Sequence, residues 1–277
     1  MIDLNSKKTY LIAEIGWNFL GDLDLAKKMI ISAKDSGADA VKFQVWDPKF
    51  LKDGSWNSDG RKEIYQKAQL NVEKFRELFE FSKQKDIFCF TSVFTVRDLK
   101  KITEVTDEVI KIPSHEAYNI ELINEAVKLF KQVVISAGCL KEEELKKLEI
   151  YKDNPKIIIL HCVSAYPLKA ENCNFSKFNY LKKIYKNIGY SGHYNGIEDA
   201  IFAIMNGAIA VEKHFTTNNE LEGRDNKFAL NPDKFKQLRE WANLSNLFLT
   251  DQGLDLQDCE KDIFQNYRGR WDNKNVK

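Results

Sequence analysis

The chain has 277 residues, 43% of them hydrophobic, which is enough for one large core and suggests either one α/β barrel or two small domains. Its 42 basic and 41 acidic residues leave a net charge of +1, so bulk charge gives no indication of binding to nucleic acid or a membrane surface. Five cysteines without a C-x-x-C pair, no signal peptide and no apolar run near the ~20 residues of a membrane span predict a reduced, cytoplasmic protein.

Eight apolar, β-branched runs follow one another along the chain. They cover residues 10–16, 40–46, 86–94, 108–114, 132–138, 156–164, 187–193 and 207–215. Each run is almost continuously hydrophobic instead of alternating, which is typical of parallel strands that are buried on both faces.

Segments with helical spacing lie between these runs. In "DLDLAKKMIISAKDSG" the apolar residues share one helical face and Gly37 ends the helix, while in "NPDKFKQLREWANLSNLF" Asn231 is suited to cap the helix. This alternation predicts an α/β fold, the (β/α)8 TIM barrel, as a single catalytic domain over residues 1–277 with a tail from about residue 250. A doubly wound open sheet is the alternative, but "EIGWNFLGD" is a poor match to its glycine-rich phosphate turn.

Polar residues stand at or near the end of every predicted strand. In strand order they are Glu14 and Asn18; Lys42 and Gln44; Thr91 and Ser92; Lys111, Ser114, His115 and Glu116; Ser136; His161, Ser164 and Tyr166; Ser191 and His193; and Glu212, Lys213 and His214. The carboxyl ends of the strands form the active-site face of a TIM barrel, so these side chains are predicted to converge there. Lysines removed from water without partners are costly, which favours a functional explanation.

Two of the four histidines, His193 and His214, end neighbouring strands. Imidazoles in such positions can share a divalent metal ion, with water or substrate completing its coordination. The alternative is that each is a core histidine bonded to a backbone carbonyl.

Two lysines, Lys42 and Lys111, are flanked by apolar residues within their strands, so alternation points them into the barrel. With the hydroxyls of Ser114, Ser136 and Ser191 nearby, they are suited to hold a phosphate group. The alternative is an internal salt-bridge network with carboxylates such as Glu14, Glu116 or Glu212, and both interpretations can hold together.

Over about residues 8–270 the sequence resembles the barrel of the sialic acid (nonulosonate) synthases. The resemblance is carried, in order and spacing, by the stretch from "YLIAEIGWNF" to "VKFQVW" and by "KIPSHEAYNIELI", "LHCVSAYP", "GYSGH" and "VEKHFT". It implies a homodimeric enzyme that condenses phosphoenolpyruvate with an open-chain aldose, such as N-acetylmannosamine, and releases phosphate.

The resemblance also implies roles for individual residues. Phosphoenolpyruvate would be held by Lys42, Ser92, Lys111, Ser136 and Ser191. His193 and His214 would hold the metal, usually manganese, with magnesium or cobalt as alternatives. The sugar and the metal-bound water would be lined by Glu14, Gln44, Glu116, Tyr166 and Asp225, of which Glu14, Glu116 and Asp225 are the catalytic candidates.

Several motifs depart from the family pattern. The usual "NHNGD" is "NFLGD", "PSGE" is "PSHE", "YSDH" is "YSGH" and "GPDHK" is "GRDNK", which introduces Phe19, Leu20, His115, Gly192, Arg224 and Asn226. We expect Phe19 and Leu20 to give apolar contacts to the sugar, and His115 and His161 to shape its site. A modified acceptor is therefore expected in place of N-acetylmannosamine.

Family members usually continue into a small antifreeze-like domain that lends an arginine to the partner's sugar site. Because this chain stops at "NYRGRWDNKNVK", we expect it to supply the barrel only, with Arg224 as a candidate replacement. Two other hypotheses remain at this point, namely a catalytically impaired homologue that binds or regulates, and a metal-dependent barrel hydrolase or isomerase.

Overall fold

Eight parallel strands close into a barrel in chain order, which confirms the predicted (β/α)8 TIM barrel. The computed structural model describes residues 2–4 and 8–271, so residues 272–277 of the predicted tail lie outside it. The strands are β1 (Tyr10–Gly16), β2 (Ala40–Gln44), β3 (Phe88–Ser92), β4 (Val109–Ile112), β5 (Gln132–Ser136), β6 (Ile157–Cys162), β7 (Ile188–Gly192) and β8 (Ala210–His214).

Helices surround this barrel. They are α1 (Leu23–Asp35), α2 (Arg61–Ala68), α3 (Val72–Gln84), α4 (Val96–Ile102), α5 (Ile120–Leu129), α6 (Glu142–Lys147), α7 (Phe175–Ile184), α8 (Glu198–Met205), α9 (Pro232–Phe248) and α10 (Lys261–Asn266). The cap predicted for α9 is present, since the Asn231 side chain accepts a hydrogen bond from the backbone N–H of Lys234. Residues 250–271 are exposed throughout.

Strand alternation divides the buried side chains into an outer and an inner set. Outward residues such as Phe43, Ile110 and Ile159 pack with the helices in the larger core. Inward residues of the lower barrel form a second apolar cluster of Ile12, Ala40, Phe90, Val109, Val134, Ile158, Leu160 and Ala210. At the next inward position along the strands, two residues closer to their carboxyl ends, the side chains become polar. The candidate site therefore lies directly above an apolar layer.

The N-terminal segment closes the barrel below this apolar layer. The backbone N–H of Ile2 donates to Gln132 Oε1 (2.9 Å), and Gln132 Nε2 donates to the Ile2 carbonyl (2.7 Å). No helix in the described part of the chain is both long and apolar enough to cross a membrane.

A buried ion pair lies outside the barrel wall, between β8 and α8. Lys213 is 2% exposed and its Nζ lies 2.9 Å from both carboxylate oxygens of Asp199, which also accepts a hydrogen bond from the Tyr190 hydroxyl (2.9 Å). A Cβ atom at position 192 would overlap Asp199 Oδ2. The carboxylate of Asp199 therefore occupies the space beside Gly192, where the family motif has an aspartate.

We predict that Asp199→Ala lowers the free energy of unfolding by about 3–5 kcal/mol, because it leaves Lys213 buried without its counter-charge. Chemical denaturation measures the change. Glu198→Gln is the matched control, since Glu198 is the exposed neighbour in the same helical turn, and it should stay within about 0.5 kcal/mol of the parent. Equal losses in the two variants would contradict the assignment.

Candidate active site

Four charged side chains meet inside the upper barrel: Lys42, Lys111, Glu14 and Glu212. Lys42 Nζ lies 2.6 Å from Glu14 Oε2 and 3.8 Å from Glu212 Oε2, and Lys111 Nζ donates to both Glu212 oxygens at 3.2 Å. None is more than 6% exposed. The inward direction predicted for both lysines is confirmed, and the salt-bridge network foreseen as the alternative is present.

The two carboxyl groups of this cluster differ in acidity. Burial opposes the charge of Glu212, but attraction to Lys111 and Lys42 outweighs it and lowers the pKa of Glu212 to about 2. Burial dominates at Glu14 and raises its pKa, in spite of the attraction to Lys42. Glu212 therefore stays ionised, whereas Glu14 is the carboxyl group that can hold a proton.

Hydroxyl groups surround the charged cluster. Ser92 accepts a hydrogen bond from Lys42 (2.9 Å), and Ser191 donates to Glu212 (3.0 Å). By contrast, the buried Oγ atoms of Ser136 and Ser164 have no hydrogen-bond partner among the described residues. Hydroxyls that are buried without partners are suited to receive an anionic ligand.

Gly138 keeps space open between two of the neighbouring hydroxyls. A Cβ atom there would lie 2.6 Å from Ser114 Oγ and 2.8 Å from Ser164 Oγ. The hydroxyls of Ser114 and Ser164 therefore both lie beside Gly138.

The predicted histidine pair is close together above the cluster. The ring centroids of His193 and His214 are 5.4 Å apart, and His193 Nδ1 lies 2.9 Å from the Val163 carbonyl. A proton on that nitrogen leaves His193 Nε2 free as a ligand. Burial and the neighbouring His193 lower the pKa of His214, which favours the neutral, metal-binding form.

The donor set fits a metal ion only in part. His214 Nδ1 is buried without a hydrogen-bond partner in the described structure, and its distance of 3.9 Å from Asp225 Oδ2 is too long for a hydrogen bond. Residues 2–4 and 8–271 contain no group of three or more His, Cys, Asp or Glu side chains arranged to hold a metal. Two imidazoles would thus need oxygen atoms from water or substrate.

The site opens into a cleft of about 460 Å³, lined by Gln44, Trp46, Tyr65, His115, Glu116 and Arg224, among others. Gln44 connects the cleft to the charged cluster, because its Nε2 donates to Glu14 Oε1 (2.7 Å). His115 stacks on Phe94 with 5.3 Å between ring centroids, and burial raises the pKa of the half-buried Glu116. The cleft therefore combines a carboxyl group with aromatic walls.

Tyr166 and Arg224 lie where the cleft meets the histidines. The Tyr166 ring is 4.1 Å from that of His193, and the guanidinium carbon of Arg224 is 4.6 Å from the Tyr166 ring centroid. Arg224 also donates to the adjacent Asp225 (3.1 Å). This geometry brings Tyr166 and Asp225 to the predicted site together with the other candidates.

Two predictions about the sugar site are wrong. His161 lies on the outer face of β6, where its Nε2 is 2.8 Å from the Cys173 carbonyl and its ring packs against Phe178, because the inward positions of this strand are Leu160 and Cys162. His161 therefore cannot shape the sugar site.

The second error concerns the loop after β1. Phe19 is fully buried against Phe43 in the outer core, with 5.8 Å between ring centroids, and Leu20 is 9% exposed. The apolar wall of the cleft comes instead from Trp17, Trp46 and Tyr65.

Sequence reasoning missed Cys162. Its thiol lies 4.0 Å from His193 Nδ1; burial opposes its ionisation, but His193 lowers the thiol pKa to about 7. Strand alternation could have identified it, because Leu160 and Cys162 occupy successive inward positions. Glu212, in contrast, was expected at this face of the barrel and as a partner of the lysines, and the structure places it there.

Comparisons with known proteins show which family the chain belongs to. Residues 29–252 match the model of the NeuB family. The chain is 34% identical to a pseudaminic acid synthase of Campylobacter jejuni, over 91% of this chain and 78% of that protein. It is 33% identical to an N,N'-diacetyllegionaminic acid synthase of Campylobacter jejuni, over 84% of this chain and 75% of that protein.

A solved structure shares the fold. N-acetylneuraminic acid (sialic acid) synthetase from Leptospira borgpetersenii, crystallised with citrate, superimposes with a TM-score of 0.83 at 31% identity, over 95% of this chain and 93% of that chain. These findings confirm the resemblance and favour a synthase over a barrel hydrolase or a homologue that only binds. The chain belongs to the NeuB family, the phosphoenolpyruvate-condensing synthases of sialic-acid-like sugars.

Proposed function

We propose that this chain condenses phosphoenolpyruvate with an open-chain, modified aldose. C3 of phosphoenolpyruvate forms a bond to the aldehyde carbon, water adds to the electron-deficient C2, and the C2–phosphate bond breaks to give a 2-keto-3-deoxy sugar acid and phosphate. The observation that carries the proposal is the pair of buried lysines beneath unpartnered hydroxyls, next to two histidines.

Phosphoenolpyruvate would lie against Lys42, Lys111 and the serines at positions 92, 114, 136 and 191. The two lysines pair with two carboxyl groups, so the net charge of the cluster depends on whether Glu14 is protonated. With Glu14 protonated, the cluster has one positive charge in excess, which suits an anionic ligand. The fixed donors would hold C3 against the aldehyde and remove much of the entropic barrier.

Glu14 would direct the water that adds to C2, because it is the cluster carboxyl group with a raised pKa. Glu116 is the second candidate for this role, on the cleft side. Asp225 and Tyr166 would position the sugar next to the histidines, and Gln44 would orient Glu14 through their hydrogen bond.

A divalent metal ion, which the synthases of this family use, would be held by His193 and His214. When bound, it supplies Lewis-acid polarisation of the aldehyde oxygen. We propose manganese, with magnesium or cobalt as alternatives. We also propose a cytoplasmic homodimer, for which the exposed Trp241, Leu247 and Phe248 of α9 offer an apolar contact surface.

We predict that His193→Ala and His214→Ala each lose bound manganese and the release of phosphate from phosphoenolpyruvate. Elemental analysis measures the metal independently of turnover. His161→Gln is the control, because His161 lies outside the barrel wall and should leave the manganese content unchanged. Full activity of His214→Ala in the presence of a chelator would contradict the metal assignment.

We predict that Lys42→Ala and Lys111→Ala each raise the KM for phosphoenolpyruvate by about tenfold or more, as expected for a lost charge-assisted hydrogen bond. Steady-state kinetics measure the KM, and circular dichroism establishes that each variant is folded. An unchanged KM in both folded variants would show that the lysines serve only to neutralise Glu14 and Glu212.

We predict that N-acetylmannosamine is a poor acceptor and that a 6-deoxy or diacetamido aldose is preferred. The aromatic wall of Trp17, Trp46 and Tyr65 favours apolar substituents on the sugar. In an apolar pocket each methylene contributes roughly 1–3 kcal/mol to the discrimination between acceptors. The measurement is kcat/KM for phosphate release across such aldoses. A wide preference for N-acetylmannosamine would refute the prediction, and no release with any aldose would refute the proposed function.

A further inference from the structure

One half-buried lysine outside the charged cluster has no carboxylate partner. Lys177 of α7 donates from Nζ to the carbonyl of Ala137, in the turn that follows β5. None of the described residues forms an ion pair with it. Burial lowers the pKa of Lys177, because the ammonium group has lost part of its hydration without gaining a counter-charge. A negative charge that arrives near Ala137 would therefore be stabilised.

The peptide group that joins Ala137 to Gly138 has Lys177 at its oxygen atom. In a planar trans peptide the C=O and N–H bonds point in opposite directions, so the Gly138 N–H points away from Lys177. A positive charge at the oxygen polarises the peptide and makes this N–H a stronger donor. Gly138 is buried, yet its N–H has no acceptor among the residues that the structure describes. Buried N–H groups without an acceptor are rare in native proteins, so a bound ligand is expected to supply one.

Unpartnered hydroxyl groups adjoin this N–H. Ser136 stands two residues before Gly138, and its buried Oγ has no hydrogen-bond partner in the described structure. The Oγ of Ser164 is likewise buried without a partner there, and it lies 2.8 Å from the point at which a Cβ atom of residue 138 would stand. Three polar groups without partners thus surround one turn, which suits the oxygen atoms of an anion.

The charged cluster alone does not balance the proposed substrate. Phosphoenolpyruvate carries a charge of about −2.5 to −3 near neutral pH, of which the phosphate group contributes roughly −1.5 to −2. Lys42 and Lys111, set against Glu14 and Glu212, leave at most one positive charge in excess, when Glu14 is protonated. Lys177 adds a further positive charge, one hydrogen bond away from the turn after β5.

We propose that Lys177 is a positioning residue for phosphoenolpyruvate: its ammonium group holds the Ala137 carbonyl and thereby aims and strengthens the Gly138 N–H, which donates to the phosphate group. The inference rests on the proposed function and adds to it a residue that stands on a helix, outside the barrel strands. Lys177 acts through the peptide and through its charge, without contact to the substrate.

The test compares Lys177→Met and Lys177→Arg with the parent enzyme. Methionine removes the charge and keeps an unbranched side chain, whereas arginine keeps the charge. We expect Lys177→Met to raise the KM for phosphoenolpyruvate by about 3–10-fold, the size of one ordinary hydrogen bond, with a smaller change in kcat and none in the KM for the aldose. Lys177→Arg should restore most of the loss.

Lys182→Met is the matched control. Lys182 belongs to the same helix and also donates to a backbone carbonyl, that of Asn206 (2.6 Å), but it is exposed. The control should leave the KM for phosphoenolpyruvate unchanged, and circular dichroism establishes that every variant is folded. An unchanged KM in folded Lys177→Met, or an equal loss in Lys177→Met and Lys177→Arg, would overturn the inference.

A binding measurement separates the inference from the proposed function. Titration calorimetry gives the Kd of phosphoenolpyruvate and of inorganic phosphate without turnover, and we expect Lys177→Met to raise both by a similar factor. A weaker Kd for phosphoenolpyruvate with that of phosphate unchanged would overturn the assignment to the phosphate group. A parent enzyme that binds phosphoenolpyruvate but releases no phosphate with any aldose, while Lys177→Met still weakens binding, would refute only the proposed function. An active enzyme with equal Kd values in parent and variant would refute only the inference.

Discussion

The mutual neutralisation of Lys42, Lys111, Glu14 and Glu212 inside the barrel is the constraint on which the rest of the site depends. Four charges removed from water are tolerated only when their partners are placed accurately, since a buried pair without good geometry costs more than it returns. These residues come from β2, β4, β1 and β8. The register of those strands and the apolar floor beneath them therefore fix the position at which an anion can be bound.

The same arrangement separates the acidities of two carboxyl groups that share one cavity. Glu212 contacts both lysines and stays ionised, while Glu14 contacts one and is dominated by burial. Two environments within one cluster thus provide a permanent negative charge and a group able to exchange a proton. Gly16 leaves room for the Glu14 carboxyl group, because a Cβ atom there would lie 3.0 Å from Glu14 Oε1, and its φ of +57° favours glycine.

The fold was predictable from sequence because eight apolar runs and their spacing specify a parallel barrel. The inward lysines were predictable as well, since alternation depends only on neighbours in the strand. A position at the end of a strand does not indicate on which face of the strand a side chain lies, whereas alternation does. His161 was assigned to the inner face because it stands near a strand end, and that assignment was wrong.

Other features depend on contacts between distant segments. Phe19 turns back into the outer core, and Tyr65 reaches the cleft from a helix in the long excursion between β2 and α3. No local pattern reports such contacts, so the aromatic wall could not be predicted.

The ion pair of Lys213 and Asp199 has a consequence for how divergence in such enzymes is judged. A residue-by-residue alignment scores Gly192 as the loss of an acidic signature, yet a carboxylate from α8 occupies the same space. In this chain the buried lysine of the barrel wall takes its counter-charge from α8, so the residue at position 192 alone does not report whether that charge is balanced. Positions 192 and 199 therefore have to be read together when sequences are compared at this part of the barrel.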